Sequence, residues 1–526
     1  MKVFILFLTL MLLMPAASFS QQRDTAVEIR ELKARLERLE KTLLQKEAAR
    51  KKNAREEREA IAKKVKKDVM AEVSTARQPF YKRFLERTKV GGYGSLRYGT
   101  SNLNALQNTF TFRRFVLTLD APIAERLKSY FELEFERFTE LELERRTFRT
   151  AGGLKVEQAV EGSNESEISL EQGWLQYDIA KWLNFRAGGI LVPLGRFNIK
   201  HDGNLWDLPR RSLVDRGVSV LPSSAAWTEM GAGLLGDVSV GRQGKFSYQW
   251  YVMNGVTLDS EVERVVQSRS PKRDKLEAEI ELRPSRGTFS DDLKKGKALA
   301  ARFVYSPRLG DEIAASFYWG RYTPDFLADR TVFSFALDGK KSWGPFEIEA
   351  EYANTRWNGV NSVARSFART VRDSSTETLG GETALLETEV EFELANLATR
   401  KQGYWVDLRY RFWPSFLENT ILGKRFSNPQ LIATLRGEQV WFSDLLREIK
   451  FSSGTLTDFE KEQRLINRLT LGLTYRPLPL AAFTLAYEYT RTNRGKSLSS
   501  VTNFLASSRD NEYFQHAVLV GLVFGF

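Results

Sequence analysis

The fold of this chain is decided by the stretch FQHAVLVGLVFGF, residues 514–526. Its large apolar side chains share one parity, and smaller residues such as Ala517 and Gly521 share the other. This period-two alternation predicts a strand whose outer face contacts lipid. Because an apolar strand with an open edge promotes aggregation, we expect it to pair on both sides in a closed barrel. A last strand with Phe524 and Phe526 is typical of outer-membrane barrels, where we expect it to serve barrel assembly.

The start of the chain predicts export. Lys2 precedes an apolar run over 3–13, and Pro15 and small residues up to Ser20 follow. This order is that of a signal peptide, which we assign to residues 1–20. The apolar run is too short to span a bilayer as a helix. The chain has no cysteine, which excludes a lipoprotein anchor, disulfides and thiolate metal sites.

Residues 21–78 have a different periodicity. Apolar residues recur at alternating steps of three and four, which is a heptad seam, and most intervening residues are Arg, Lys or Glu. The pattern predicts a periplasmic α-helical coiled-coil segment ahead of the barrel. A solvated single helix is the alternative, because the strict seam lasts little more than two heptads. The seam residues are Ile29, Leu32, Leu36, Leu39 and Leu43.

For residues 79–526 we predict an all-β transmembrane β-barrel of about 16 antiparallel strands. The mean hydropathy is −0.36, and no later apolar run is long enough for a helical membrane span. A barrel tolerates such a polar average, because its lipid-facing residues alternate with polar ones. The predicted strands lie near 89–98, 109–119, 129–137, 168–179, 183–192, 228–238, 245–255, 296–306, 312–322, 331–338, 345–356, 403–412, 430–441, 467–476, 482–492 and 512–526.

The connections between these strands also alternate. Links after even-numbered strands are mostly short, and links after odd-numbered strands are mostly long. Outer-membrane barrels have short periplasmic turns and longer external loops, so this sorting supports the barrel. The link over 413–429 is longer than the pattern predicts, and it makes the count least secure there.

The region from Phe110 to Val256 resembles the phosphate-selective porin family (porin O/P type). The resemblance is carried by FRRFVLTLDAPIAERLKSYFELEFE, GWLQYDIAKWLNFRAGGILVPLGRFN, RRSLVDRGV and YVMNGV. It implies a homotrimer of sixteen-stranded barrels whose third loop, residues 193–227, folds into the lumen and narrows it. Some porins of this general kind also carry a periplasmic coiled coil before the barrel. The motifs do not specify the solute.

Basic residues of the third loop and of the strand walls are the candidate pore-lining and solute-binding groups. Arginine presents a fixed fork of donors that suits phosphate and carboxylate, which predicts a path for small anionic solutes. The alternative is that these charges solvate the wall and hold the loop by ion pairs. The candidates are Arg186, Arg196, Lys200, Arg210, Arg211, Arg216, Arg409 and Arg411.

Two observations weaken the anion hypothesis. The net charge of +12 includes sixteen basic and eleven acidic residues between 23 and 72, outside the predicted barrel. In addition, acidic rows with period two on the third and eleventh predicted strands should face inward. These rows are Glu132, Glu134 and Glu136, and Glu347, Glu349 and Glu351.

Other functional classes find little support. There are two histidines, His201 in a loop, which we count as neutral, and His516 on the lipid-facing parity. No spacing arranges a nucleophile around a base, so we expect no enzyme, no cofactor and no metal. An exported chain with interleaved acids also argues against nucleic acid.

The predicted protein is therefore a porin in the outer membrane of a Gram-negative-type bacterium, in contact with outer-membrane lipid. A general or carbohydrate porin without anion selectivity is an alternative. A structural tether, in which the coiled coil reaches the cell wall and the barrel serves as an anchor, is another.

Overall fold

The computed structural model describes residues 86–102, 109–136, 141–150, 153–162, 167–215, 219–224, 226–265, 275–283, 294–378, 390–394, 397–452, 455–493 and 513–526. All of them belong to one compact unit, Phe84–Phe526, while Met1–Arg83 form a second unit. The predicted signal peptide, the coiled-coil segment and its seam lie outside the described residues.

Almost all of the described secondary structure is β-strand. The strands are β1 (Lys89–Ser101), β2 (Thr109–Ala124), β3 (Leu127–Glu136), β4 (Leu141–Thr150), β5 (Gly153–Gly162), β6 (Glu167–Ala180), β7 (Leu183–Leu191), β8 (Thr228–Val240), β9 (Gly244–Met253), β10 (Thr257–Val265), β11 (Lys275–Arg283), β12 (Ala298–Arg308), β13 (Asp311–Arg321), β14 (Thr331–Trp343), β15 (Phe346–Trp357), β16 (Val390–Leu394), β17 (Arg400–Phe412), β18 (Gln430–Ser452), β19 (Thr455–Leu478), β20 (Ala481–Thr492) and β21 (Phe514–Gly525). Two helices, α1 (Arg196–Ile199) and α2 (Val360–Thr378), and 3-10 turns at Gly203–Leu205 and Ser415–Leu417 complete the description. Neither described helix has the length and apolarity that a membrane span requires.

Sixteen of these strands close into an antiparallel barrel, and each predicted strand corresponds to one of them. The order around the wall is β1, β2, β3, β6, β7, β8, β9, β12, β13, β14, β15, β17, β18, β19, β20 and β21, after which β21 pairs with β1. The predicted fold class and strand count are confirmed.

The first and last strands form the closing seam. Their register runs from Tyr93 opposite Gly525 to Ser101 opposite Ala517. At Gly94, an added Cβ atom would lie 2.5 Å from the ring of Phe524, so glycine makes room for that ring. Phe526 extends the ladder, since its amide donates to the carbonyl oxygen of Gly92 at 3.1 Å. The two terminal phenylalanines therefore lie at the seam.

The two faces of the wall differ in the way the alternation predicts. On β20, Phe483 and Leu485 point outward and are 50% and 51% exposed, while Thr484 and Glu488 are buried. On β21, Val518 and Val520 point outward and Gln515 and Leu519 inward. An outer face of large apolar side chains suits lipid, and the inward face carries hydroxyls and charges.

Several long connections contain structure that the sequence does not predict. β4 pairs with β5 and β10 with β11 as hairpins, and α2 occupies part of the link between β15 and β17. β18 and β19 extend as a hairpin to Ser452 and Thr455, far past the predicted bounds 430–441 and 467–476. Outside the lipid, a hairpin needs no apolar face. Consecutive residues such as Glu460 and Lys461 are accordingly both exposed, and the period-two signal is lost.

Candidate functional site

The third loop, residues 193–227, connects β7 to β8 and lies against the inward face of the barrel. It leaves the wall at Gly195, whose φ of 73° is in the left-handed region that favours glycine. The amide of Gly195 donates to Ser316 Oγ at 3.1 Å. Asn198 links the two ends of the loop. Its Nδ2 donates to the Val192 carbonyl and its Oδ1 accepts from the Trp227 amide, both at 2.7 Å.

An aromatic cluster attaches the loop to the wall. The rings of Phe197 and Trp206 stack with centroids 3.8 Å apart, and both rings meet the edge or face of Trp405 on β17. All three side chains are buried. The guanidinium of Arg436 lies 5.1 Å from the Phe197 ring centroid, within the range of a cation–π contact. The buried apolar core therefore includes the contact between loop and wall, and it extends to side chains of α2 and β18.

Arg196 is surrounded by wall carboxylates. Its guanidinium forms ion pairs with Glu312 and Glu349 and lies 3.3 Å from Asp338 Oδ1. The residue is only 1% exposed. We call these four residues, from β13, β14, β15 and the third loop, the Arg196 zone. The neighbouring carboxylates raise the pKa of Arg196 further, against the effect of burial, so the guanidinium stays charged.

The ion-pair network continues along the wall from the Arg196 zone. Arg409 on β17 contacts Glu349, and it also pairs with Glu347 at 2.8 Å and Asp407 at 2.5 Å. Arg436 on β18 pairs with Asp407 at 2.5 Å. Glu347 and Glu349 of the predicted row on β15 thus meet an arginine. The third member, Glu351, is buried and accepts from Trp405 Nε1 at 2.9 Å, so the row does not present a free negative surface.

Wall arginines also bind the third loop, through its backbone carbonyls and the Asp207 side chain. Arg468 Nη2 donates to the Arg211 carbonyl at 2.6 Å, and Arg436 Nη1 donates to the Arg210 carbonyl at 3.1 Å. Arg476 Nε donates to Asp207 Oδ1 at 2.7 Å. These contacts use polar groups of the loop that would otherwise be buried without partners, so they fix its path along the wall.

The remaining candidates occupy several environments. Arg210 pairs with Glu488 at 3.0 Å, and Arg211 lies 4.0 Å from Asp215. The side chains of Lys200 and Arg411 are 38% and 37% exposed, and each also contacts a glutamate. Arg186 lies apart from this network.

Arg186 on β7 is held over the Trp174 ring at 3.9 Å and donates to Gln176 at 2.7 Å. Arg216 lies outside the described residues. The structure thus brings Arg196, Lys200, Arg210 and Arg409 to one side of the barrel interior, where carboxylates accompany them.

A second cluster, which we call the histidine zone, lies on the opposite wall. It consists of His201 and Asp202 in the third loop, Glu132 on β3 and Glu171 on β6. His201 Nε2 lies 3.0 Å from Glu171 Oε2 and 3.4 Å from Glu132 Oε1. Burial lowers the pKa of His201, but Glu132, Glu171 and Asp202 outweigh this and raise it to about 10. The imidazole is thus a proton acceptor of unusual strength, not the neutral group expected from sequence.

Two groups of residues that contact the third loop or lie in it were not predicted from the sequence. Arg436, Arg468 and Arg476 share the inward parity of β18 and β19 with buried threonines, and that parity could have identified them. For the histidine zone, the sequence showed only an inward acidic row and a single loop histidine. No sequence pattern indicates that β3, β6 and the third loop meet, so the cluster was not predicted.

Comparisons with known proteins give distant likenesses. No family model matches the chain. An uncharacterized protein of Aquifex aeolicus is 27% identical over 168 residues, and the match spans about a third of each protein (32%). Membership of the phosphate-selective porin family remains a prediction.

Solved structures that align with the chain are outer-membrane porins and channels. The anion-selective porin from Comamonas acidovorans is 10% identical, with 84% of this chain and 99% of that chain covered and a TM-score of 0.45. OmpT of Vibrio cholerae, in its trimer form, is 11% identical with the same coverage and a TM-score of 0.42. The outer membrane channel DcaP of Acinetobacter baumannii is 10% identical, with 84% and 97% covered and a TM-score of 0.41.

Proposed function

We propose that the protein is an outer-membrane porin through which small hydrophilic solutes diffuse passively. The observation that carries this proposal is a closed sixteen-strand barrel with an apolar outer face, a charged inner face and a long loop held along the inner wall. Charged side chains on a lumen wall replace part of the hydration of a passing solute. A loop fixed at many points would narrow the lumen without blocking it.

We further propose a weak preference for anions such as phosphate or carboxylates. The support is the difference in exposure. Among the candidate basic residues, the side chains of Lys200 and Arg411 are 38% and 37% exposed, whereas those of Glu347 and Glu349 are 7% and 5% exposed and pair with Arg409. Glu312 is 25% exposed and acts against this preference. Since most arginines are neutralised by wall carboxylates, we expect a moderate preference and not strict selectivity.

The assembly and the location belong to the same proposal. We expect a homotrimer in the outer membrane, and OmpT of Vibrio cholerae is likewise described in a trimer form. A periplasmic coiled coil over residues 21–78 that contacts the cell wall remains part of the proposal. Its support is the heptad seam in the sequence.

Conductance in a planar lipid bilayer tests the porin proposal. The full chain, purified in detergent and added at low concentration, should give stepwise increases in current. A gradient of potassium chloride should then give a reversal potential with the sign of mild anion preference. A folded barrel that inserts without conductance steps would contradict the porin and favour the anchoring role. A cation-selective reversal potential would contradict only the anion preference.

A further inference from the structure

The histidine zone has a geometry that the porin proposal does not use. Donor atoms of His201, Glu132 and Glu171 lie within 4.8 Å of one another, and Asp202 lies beside them. Nε2 of His201 lies 3.4 Å from Glu132 Oε1, 3.0 Å from Glu171 Oε2 and 3.8 Å from Asp202 Oδ1. His201 is 1% exposed, Glu132 is fully buried and Glu171 is 9% exposed. The nearest carboxylate oxygens all face the same ring nitrogen.

These donor atoms lack hydrogen bonds among the described residues. Neither ring nitrogen of His201 has one, and neither do Glu132 Oε1, Glu171 Oε2 and Asp202 Oδ1. The other oxygen of Glu132 does have partners, since Oε2 accepts from Gln172 at 2.5 Å. The carboxylate of Glu132 is thus held by one oxygen and presents the other to the centre, as ligating carboxylates commonly do.

The charge at this centre is unbalanced. Glu132, Glu134, Glu171 and Asp202 bring four negative charges to this centre. The permanent positive charges there are two, Arg114, which pairs with Glu134 at 2.7 Å and also acts on Glu171, and Arg211, which acts on Asp202. Buried carboxylates without compensation are unstable, and a metal ion is one of the usual ways to compensate them. A proton on His201 adds one positive charge, whereas a divalent ion at the same place adds two and also occupies the free oxygen atoms.

We propose that Glu132, Glu171, His201 and Asp202 bind a divalent transition-metal ion of the Zn²⁺ class. Metal–donor bonds of about 2.0–2.1 Å in a tetrahedral site place the donors about 3.3 Å apart. The three separations from Nε2, 3.0, 3.4 and 3.8 Å, lie around that value. Ca²⁺ fits less well, because it takes six to eight oxygen ligands and does not favour imidazole.

The site also has an access route and a structural consequence. The Asp202 side chain is 32% exposed, so the centre can be reached from the loop side. A bound ion links β3, β6 and the third loop through four side chains. It therefore fixes the loop on the wall opposite the Arg196 zone, which has no need of a metal.

Metal binding by the full chain in detergent tests this proposal. After treatment with EDTA and removal of the chelator, equilibrium dialysis against Zn²⁺ should give one ion per chain. Co²⁺ at the same site should give the visible d–d bands of a four-coordinate ion. His201→Ala should weaken Zn²⁺ binding by roughly tenfold or more. His516→Ala is the matched control, because His516 lies on the outer face beside Tyr487 and should leave binding unchanged.

Each outcome of this experiment decides the proposal. Equal Zn²⁺ binding by His201→Ala and the unmodified protein would overturn it, as would no binding by the unmodified protein at Zn²⁺ concentrations below about 100 µM, a weak limit for a specific site. If His201→Ala fails to fold, the nearly isosteric Glu171→Gln replaces it, with the same expectation. Metal binding is measured without any current, so its failure would leave the porin proposal intact.

Discussion

The third loop contacts opposite walls of the barrel at Arg196 and at His201, by two different kinds of chemistry. In the Arg196 zone, a permanently charged guanidinium is matched by three carboxylates, and the network extends through Arg409 to further acids. In the histidine zone, three carboxylates meet one imidazole and several donor atoms lack hydrogen bonds among the described residues. The Arg196 zone is held mainly by ion pairs within the described chain, although Arg196 Nη2 lacks a hydrogen bond there, whereas the histidine zone is suited to a ligand.

The difference follows from the side chains themselves. Arginine keeps its charge at any physiological pH and offers five donors in a rigid fork, so one guanidinium can satisfy several carboxylates. Imidazole offers at most two donors and accepts a metal ion in place of a proton. One guanidinium can therefore hold several wall carboxylates around Arg196, whereas the imidazole of His201 has fewer donors for the carboxylates around it.

The largest expected effect comes from removing Arg196, the centre of the ion-pair network between loop and wall. Arg196→Ala leaves Glu349 and Asp338 buried without this partner, and the loss of one member of a buried charge network costs about 3–5 kcal/mol. Unfolding by denaturant in detergent, followed by tryptophan fluorescence, should show this loss. Arg242→Ala, in the exposed turn between β8 and β9, is the control and should change little. A loss below about 1 kcal/mol for Arg196→Ala would mean that the network does not hold the loop.

The second prediction concerns the histidine zone. The double variant Glu132→Gln with Glu171→Gln removes two of the carboxylates that raise the pKa of His201 to about 10, so its metal-free stability should fall below that of the unmodified protein. Zn²⁺ at a hundredfold its Kd should then stabilise the unmodified protein by about 2.7 kcal/mol and the variant by much less. The same denaturant titration, with and without Zn²⁺, measures both values. If Zn²⁺ stabilised the two proteins equally, the ion would not bind at the histidine zone.

The third prediction concerns solute selectivity at Lys200, an exposed lysine between Arg196 and His201 in the sequence. Lys200→Glu changes the local charge by two units, and two charges about 7 Å apart in water interact by about 0.6 kcal/mol. The anion permeability should therefore fall about eightfold relative to a neutral solute at low salt, and much less at 1 M salt, where the screening length is about 3 Å. Reversal potentials should show the matching fall in the anion-to-cation permeability ratio. Lys200→Arg keeps the charge and should preserve the ratio, and an unchanged ratio in Lys200→Glu would place this residue away from the solute path.

The smallest effect is expected at Arg411, at the border of the ion-pair network around Arg196. Arg411 is 37% exposed, and its partner Glu347 keeps Arg409 at 2.8 Å and Lys340 at 2.9 Å. Arg411→Gln should lower the free energy of unfolding by less than about 1 kcal/mol, as for other exposed ion pairs. If Arg411→Gln lowered the free energy of unfolding as much as Arg196→Ala does, the exposure of an arginine would not determine its contribution to stability.

The sequence by itself determined the wall of the barrel. Alternation with period two is a local property, because a strand between lipid and lumen must change chemistry at every residue. All sixteen wall strands could therefore be located, and so could the inward acidic residues Glu132, Glu134, Glu347, Glu349 and Glu351, which are buried as expected. Where the lipid ends, this constraint ends, and the hairpin of β18 and β19 and the helix α2 were missed.

Only the tertiary structure decided the partners of the charges. Arg196 and Glu349 are separated by 153 residues, and His201 and Glu132 by 69, so no local pattern relates them. The closing of the barrel and the path of the third loop bring them together. An arginine in the loop looks the same in sequence whether it faces a solute or three buried carboxylates. That choice depends on which wall strands the loop meets, which is a property of the closed barrel and not of any segment.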